Sequence, residues 1–228
     1  MPQAPPAATI AQVSATSLTL QLYPTRDNGG AIVTDYLLYR NQGDNSDSSA
    51  TLTQISTSSY TYLANGFLAT LADFSTESIT PGLFYQFSYL AVNNVGTSDH
   101  SSIVTVPVAD YPDAPTGLQR VQSIVPGRTS IWLEWDVVAD TQLPAGQLTG
   151  YKLWMDNGLH GDFELVYNGE GVPDVRTFEA NGLVTGRPYR FYAVAVNHVG
   201  ESPASDLVTI YSCEAPSSLA APTKSAIS

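Results

Sequence analysis

Cysteine and histidine are scarce in this sequence. A single cysteine, Cys213, and three histidines occur among the 228 residues. One cysteine cannot form a disulfide within the chain, so stability has to come from packing and hydrogen bonds. Because Cys213 has no second cysteine or histidine close to it in the sequence, we interpret it as a packed or spare thiol rather than a nucleophile.

Other ingredients of catalysis are also missing. Ser98, Asp99 and His100 are adjacent, but consecutive loop residues point in different directions, whereas a hydrolytic triad needs side chains that converge in a pocket. The chain is therefore predicted not to be an enzyme, and no cofactor is expected.

Basic residues are too few to form a basic patch. Nine lysines and arginines stand against 21 aspartates and glutamates, which gives a net charge of −12. A chain of this charge repels phosphate groups, so nucleic acid is an unexpected partner. No apolar run is long enough to cross a bilayer, so we expect no direct membrane insertion of this segment.

The residues that are present favour β-structure. Hydrophobic residues make up 43% of the chain and charged residues only 13%, and tyrosine occurs 13 times. Such a composition is typical of a folded, strand-rich protein. The length suits two small domains better than one large domain.

An internal repeat supports this division. The segment from Ala195 to Ser202 reads AVNHVGES, and the segment from Ala91 to Ser98 reads AVNNVGTS. Each follows an alternating aromatic run, as expected where a strand enters a turn. The rest of the chain can be aligned on these two copies, and Trp135 then corresponds to Leu22.

The aligned copies resemble the fibronectin type III family. The motifs that carry the resemblance are a tryptophan in the second strand, a glycine-containing loop before a tyrosine strand, a Leu-x-x-Gly-x-x-Tyr motif, and the repeated AVN segment. In this sequence they are Trp135; Asn28-Gly29-Gly30 before Tyr36 and Gly146 before Tyr151; Leu183, Gly186 and Tyr189; and Ala91–Ser98 with Ala195–Ser202.

The resemblance implies an all-β fold of two consecutive seven-stranded immunoglobulin-like sandwiches. Tyr85 and Tyr189 would be buried tyrosine corners whose hydroxyl groups bond to the backbone, and Trp135 would be a core residue. The first copy departs from the family pattern in having Leu22 in place of tryptophan and a long segment from Leu63 to Ser78.

The repeat also predicts the domain boundaries. Residues 1–110 form the first domain and 111–214 the second. Residues 215–228 look like the start of a further repeat, because Ala215-Pro216-Ser217-Ser218-Leu219 resembles Ala114-Pro115-Thr116-Gly117-Leu118.

Outward positions of the second domain predict a binding surface. Strand alternation directs Trp154, Tyr192, Val194 and Val196 away from the core, and aromatic residues are common anchors of protein interfaces. The favoured interpretation, however, is that long side chains, such as Lys152 and Arg190, cover these rings and protect the sheet. Two further candidate contact residues, His198 and Glu201, are variable positions of the repeated turn.

Two acidic groups could hold calcium. Asp110 and Asp113 lie between the predicted domains, where an ion would stiffen the junction, but plain linker charges are the favoured interpretation. The loop from Asp44 to Asp47 has oxygen donors without the glutamate of a calcium loop, so we interpret it as a solvated loop. No metal site is assigned.

Together these features predict a non-enzymatic structural and interaction module from a larger modular protein. It would act as a spacer and as an adhesion or protein-binding scaffold. Its partners would be another protein or neighbouring domains of the same chain. An extracellular or cell-surface location is favoured, with a cytoplasmic one left open. The alternatives are an accessory β-sandwich region of a secreted carbohydrate-active enzyme and part of an intracellular cytoskeletal array.

The predicted boundary can be checked by limited proteolysis. We expect an early cut near Tyr111 that releases two resistant fragments, because a linker exposes backbone that folded strands protect. Mass spectrometry of the fragments locates the cut. First cuts inside both predicted domains, with none near Tyr111, would contradict the boundary.

Overall fold

The computed structural model describes residues 1–43, 51–58, 61–63, 68–72, 74–125 and 127–214. The predicted loop from Asp44 to Asp47 and the predicted start of a further repeat at 215–228 lie outside these residues. The chain divides into two compact units. The first comprises Met1–Ala114, Val138–Gly150 and Ala195–Pro203, and the second comprises Pro115–Val137, Tyr151–Val194 and the described residues after Pro203.

The strands before residue 110 form two antiparallel sheets. One sheet has the order β1-β2-β6-β5, and in the other the order is β4-β3-β7-β8, with β9 also paired to β7. Their bounds are β1 Thr9–Val13, β2 Leu18–Gln21, β3 Val33–Arg40, β4 Thr53–Gln54, β5 Thr61–Leu63, β6 Leu68–Leu71, β7 Phe84–Asn93, β8 Gly96–Thr97 and β9 Val104–Pro107. A 3₁₀ turn at Ser75–Glu77 precedes β7. We call these two sheets the first sandwich.

The strands after residue 110 form a second sandwich. One of its sheets has the order β10-β11-β14 and the other the order β13-β12-β15-β16. Their bounds are β10 Gln119–Arg120, β11 Ile131–Glu134, β12 Leu148–Met155, β13 Glu164–Asn168, β14 Thr177–Ala180, β15 Pro188–Asn197 and β16 Val208–Tyr211. The described part of the chain contains no α-helix, so the all-β prediction is confirmed.

The first sandwich has more strand segments than the second. Its nine segments in the described residues exceed the predicted seven because β5 adds an edge to one sheet and because β8 and β9 pair separately with β7. The described residues of the second sandwich form seven strands.

Alternating side chains build both cores. On β2, Leu18 and Leu20 are fully buried, and the residues between and after them are partly exposed. Strand β11 repeats the pattern with Ile131 and Leu133. Since a strand turns successive side chains to opposite faces, each strand supplies one face to a core between two sheets. Each core cluster accordingly contains residues of both sheets of its own sandwich.

A compensating pair of residues explains why the first core needs no tryptophan. Trp135 is 4% exposed and lies 5.7 Å from the Tyr151 ring in an edge-on contact. Where the second sandwich has Trp135 and Ala193, the first has Leu22 and Tyr89, both at most 1% exposed. The Tyr89 hydroxyl donates to the Tyr23 carbonyl at 3.0 Å, directly after Leu22. One sandwich thus places its large ring directly after the second strand, and the other places it on the facing sheet.

Both predicted corner tyrosines bond to backbone a few residues upstream. The Tyr85 hydroxyl accepts a hydrogen bond from the Thr80 amide at 2.8 Å, and the Tyr189 hydroxyl accepts one from the Val184 amide at 2.9 Å. Tyr85 is fully buried and Tyr189 is 4% exposed. These bonds tie the segment that precedes β7 or β15 to the strand itself, as a tyrosine corner requires.

The repeated AVN segments have equivalent hydrogen bonds. In the first copy, the Asn93 side-chain oxygen accepts from the amides of Val95 and Gly96, and the Ser98 hydroxyl accepts from the Ala91 amide. Asn197 and Ser202 do the same in the second copy. The residues that are identical in the two copies therefore stabilise the turn after the long central strand. This role is structural.

Removing the Tyr189 hydroxyl tests the corner. We expect Tyr189→Phe to lower the free energy of unfolding by about 1–2 kcal/mol, because the Val184 amide loses the acceptor of a partly buried hydrogen bond. Urea denaturation followed by circular dichroism gives the difference. Tyr211→Phe is the matched control, since Tyr211 is 56% exposed. An equal effect of the two substitutions would contradict the role of the corner.

Candidate interaction surface

Aromatic rings cluster on the outer side of the sheet β13-β12-β15-β16. Trp154 of β12 and Tyr192 of β15 are stacked with ring centres 6.0 Å apart and planes 13° apart. Phe163 lies 4.9 Å from the Tyr192 ring. Leu165 of β13 is the register partner of Trp154 and is 43% exposed. We call these four residues the aromatic patch; its three rings are half-buried.

An ion pair supports the patch from one side. The Arg190 guanidinium carbon lies 5.0 Å from the Phe163 ring centre, within the range of a cation–π contact. Its Nε donates to Oδ2 of Asp156 at 2.7 Å, and its Nη2 donates to the Gly161 carbonyl at 3.1 Å. The Asp156 side chain is 1% exposed and that of Arg190 is 22% exposed. Such a guanidinium is held by three partners and cannot move freely.

Asp156 is stabilised in its charged form. Burial raises the pKa of its carboxyl, but four favourable interactions outweigh burial and hold the pKa below its usual value. Three of them are hydrogen bonds, which the Arg190 backbone amide, the Arg190 guanidinium and the Gly158 backbone amide donate to the carboxylate. The fourth is the attraction of the positive charge of Arg190. A buried carboxylate with hydrogen-bond donors on both oxygens and a paired cation is the arrangement that permits ionisation away from water.

The first sandwich has an uncharged residue, Asn41, in the position equivalent to Asp156. Asn41 follows β3 as Asp156 follows β12, and its Oδ1 accepts from the amides of Gly43 and Gln86 at 3.2 and 3.0 Å. Gln86 is the repeat equivalent of Arg190. The charged pair is therefore specific to the second sandwich, where the aromatic patch lies.

Two of the predicted outward residues do not reach the surface. Val194 and Val196 are each 5% exposed, which corrects their assignment to an exposed apolar face. Two contacts give the register of β12 against β15. The Asp156 amide donates a hydrogen bond to the Arg190 carbonyl, and the rings of Trp154 and Tyr192 are stacked. This register places Lys152 opposite Val194. Alternation gives the direction of a side chain, whereas the long neighbours on a central strand decide whether water reaches it.

Lys152 and Arg190, the two side chains suggested to cover the aromatic rings, lie at different positions. Arg190 lies against Phe163, as described above. Lys152 makes an ion pair with Glu170 at 3.7 Å, and its side chain is 17% exposed. The stacked Trp154 and Tyr192 are therefore only partly shielded, in keeping with their half-buried state.

His198 and Glu201 are exposed, in the turn after β15. Glu201 forms an isolated bridge with Val196. Neither residue belongs to the aromatic patch, and as contact residues they remain predictions.

The candidate calcium residues do not form a ligand group. Asp110 and Asp113 are exposed, and one carboxylate oxygen of Asp110 accepts the Ala15 amide at 2.8 Å. No group of three or more histidine, cysteine or acidic side chains suited to a metal occurs in the described ranges. Cys213 is exposed rather than packed. Within the part of the chain that the structure covers, no helix has the length and apolar character needed to span a membrane.

Comparisons with known proteins give one consistent class. No family model matches the chain. It is 23% identical over 211 residues to receptor-type tyrosine-protein phosphatase F of Danio rerio, and 28% identical over 146 residues to fibronectin type III domain containing protein 3C1 of Mus musculus. These matches cover 92% and 64% of the chain. The chain spans about a tenth of the length of each relative, 10% in both cases.

A solved structure agrees with the fold. The crystal structure of the chicken CNTN1 FN1–FN3 domains matches 93% of this chain and 68% of its own, with a TM-score of 0.55 and 18% identity. The class defined by sequence matches and fold is that of tandem fibronectin type III domains. The resemblance inferred from the residues is confirmed: the matched relatives contain fibronectin type III domains, and this chain has the fold of a tandem of such domains. Domains of this class are non-catalytic modules, and the match to the phosphatase covers only a tenth of that protein.

Sequence reasoning missed two members of the aromatic patch, Phe163 and Leu165, and the buried carboxylate of Asp156 beside it. For Asp156 the missed signal was the repeat itself. Aligning Tyr85 with Tyr189 also aligns Gln86 with Arg190, and a charged residue that replaces a neutral one beside a buried tyrosine needs a partner.

A double-mutant cycle tests the ion pair. We expect Asp156→Asn and Arg190→Gln each to destabilise the protein by about 1–3 kcal/mol, because each leaves a shielded charge without its partner. The double variant, which has the residue pair of the first sandwich, should lose less than the sum of the single losses. Urea denaturation measures all four proteins, and strict additivity would contradict the coupling.

The same pair predicts a pH dependence. A carboxyl whose folded-state pKa is lowered contributes stability that is present above its ordinary pKa of 3.8 and is lost as the pH falls through the folded-state value. Wild type should therefore lose more unfolding free energy than the double variant when the pH is lowered from 6 to about 3. Parallel losses in the two proteins would contradict this account.

Proposed function

We propose that the chain is a non-enzymatic spacer and protein-binding module of a larger multidomain protein that acts outside the cell or at its surface. The observation that carries the proposal is the aromatic patch, a partly exposed apolar cluster on a regular sheet in a domain class without catalytic activity. The names of the relatives, which include a receptor-type protein, favour the proposed location.

The spacer role rests on the construction of the two sandwiches. Each has its own core between two hydrogen-bonded sheets, so force along the chain acts on sheet hydrogen bonds rather than on loops. The predicted domains, 1–110 and 111–214, are joined by a segment that contains Pro112 and Pro115. Proline fixes one backbone angle, so the joint is semi-rigid rather than freely flexible.

The binding role rests on the rigidity of the patch. Trp154 and Tyr192 are stacked on neighbouring strands, and Arg190 holds Phe163 in place. Rings that are already ordered lose little conformational entropy when a partner covers them. Aromatic side chains with a fixed orientation are the usual energetic centres of protein interfaces.

The surroundings of the patch suit a basic partner. Asp162 and Glu164 flank Phe163 and are exposed, and the whole chain has a charge of −12. Repulsion between two such chains disfavours self-association through this face. The partner would present apolar side chains flanked by lysine or arginine.

One observation favours a second candidate. The planes of Trp154 and Tyr192 differ by only 13°, and near-parallel rings can stack against the flat faces of sugar rings. This arrangement supports an accessory sugar-binding role beside a carbohydrate-active enzyme.

A capture experiment compares wild type with two tryptophan variants. Trp132 lies on β11 in the opposite sheet and is half-buried like Trp154, so Trp132→Ala is a matched control. We expect Trp154→Ala to weaken binding of captured proteins by at least tenfold, about 1.4 kcal/mol, and added salt to weaken it further. Surface plasmon resonance with each captured protein gives the affinities.

The outcomes separate the candidates. Equal binding by wild type and Trp154→Ala, or equal loss in both tryptophan variants, would contradict the proposed surface. Oligosaccharide binding that depends on Trp154 in the absence of a protein partner would favour the second candidate.

A further inference from the structure

Asparagine is followed by glycine at four places in the described residues. In such pairs the glycine backbone nitrogen can attack the asparagine side-chain amide, and glycine has no Cβ to hinder the approach. The four pairs start at Asn28, Asn157, Asn168 and Asn181. A fifth pair, at Asn65, lies outside the described residues. Because the local sequence is the same, any difference in reactivity within the folded protein has to come from structure.

Three of the four glycine backbone amides donate a hydrogen bond to another residue. The Gly29 amide donates to Oδ1 of Asp27 at 2.8 Å, and the Gly158 amide donates to Oδ1 of Asp156 at 3.1 Å. The Gly169 amide donates to the Tyr151 carbonyl at 2.8 Å. A nitrogen that donates to another acceptor is turned away from its own asparagine, and attack would cost that hydrogen bond.

Gly182 differs from the other three glycines. Its amide donates to none of the residues that the structure describes, and both Asn181 and Gly182 are exposed. A Cβ placed on Gly182 would meet nothing within 4 Å, so the space around this residue is open. The Asn181 side-chain nitrogen makes one long bond, 3.3 Å, to the Glu179 carbonyl. The pair can therefore reach a reactive geometry by rotation of an exposed side chain and turn.

We propose that, of the four described Asn-Gly pairs, Asn181 is the one that deamidates spontaneously in the folded protein. The Gly182 nitrogen forms a bond to Cγ of Asn181, the bond from Cγ to Nδ2 breaks, and the nitrogen leaves as ammonia with the proton of the glycine amide. Water then opens the succinimide to aspartate or isoaspartate. No oxidant or reductant takes part, and the product has one more negative charge.

The position of the pair gives the reaction a structural effect. Leu183 follows at once; it is 5% exposed, and its amide donates to the Thr129 carbonyl at 2.9 Å. The next amide, that of Val184, is the donor to the Tyr189 corner. An isoaspartate lengthens the backbone just before these bonds, so deamidation at this site should weaken the corner of the second sandwich.

Peptide mapping by mass spectrometry tests the proposal. Folded wild type is incubated at mildly alkaline pH and sampled over days, and the deamidated fraction is measured at all four sites. We expect Asn181 to react several-fold faster than the other three. In guanidinium chloride the four rates should converge, because the hydrogen bonds that distinguish them are lost.

A gain-of-reactivity variant provides the second arm. Asp27 is exposed, and among the described residues its carboxylate accepts a hydrogen bond only from the Gly29 amide. Asp27→Ala should therefore raise deamidation at Asn28 and leave Asn181 unchanged. The proposal is overturned if Asn181 is not the fastest of the four sites in the folded protein, or if the same ranking persists in denaturant. An unchanged rate at Asn28 in Asp27→Ala would refute the protective role of the amide bonds.

Discussion

One side-chain oxygen at the end of a long strand organises each sandwich. Oδ1 of Asn41 in the first and of Asp156 in the second accepts two backbone amides, one from the following turn and one from the next long strand. The two long strands are therefore tied at the end where their sheet stops. In the second sandwich the other oxygen of Asp156 also binds Arg190, whose guanidinium lies against Phe163. The aromatic patch is thus linked to a set of side-chain-to-backbone hydrogen bonds that both sandwiches have.

The repeat shows how far residues can change while the architecture stays. The repeat positions that hold Trp135 and Ala193 in the second sandwich hold Leu22 and Tyr89 in the first, and all four are buried. The Tyr89 hydroxyl also exchanges two hydrogen bonds with the Tyr23 backbone, so the first core accommodates a polar atom without leaving it unsatisfied. At these positions the two copies share burial and backbone pairing rather than residue identity. The turn after β7 and β15 is the exception, because Asn and Ser there bond directly to backbone amides.

The sequence predicts the features that follow from local periodicity. Alternation identifies Leu18, Leu20, Ile131 and Leu133 as core residues, and the aligned motifs locate Tyr85 and Tyr189. The aromatic patch was predicted only in part. Trp154 and Tyr192 could be found because each lies on a regular strand, whereas Phe163 lies before β13 and depends on Arg190. Val194 and Val196 were placed on the surface because alternation carries no information about neighbouring strands, and these set the exposure of a central strand.

All three tryptophans of the chain, Trp132, Trp135 and Trp154, lie on or directly after strands of the second sandwich, since the first has Leu22 in the equivalent core position. Intrinsic tryptophan fluorescence of the intact chain therefore reports on the second sandwich alone. A transition seen by circular dichroism but not by tryptophan emission belongs to the first sandwich. The leucine that sets this copy apart from the family pattern makes the two halves of the tandem spectroscopically distinguishable without any modification.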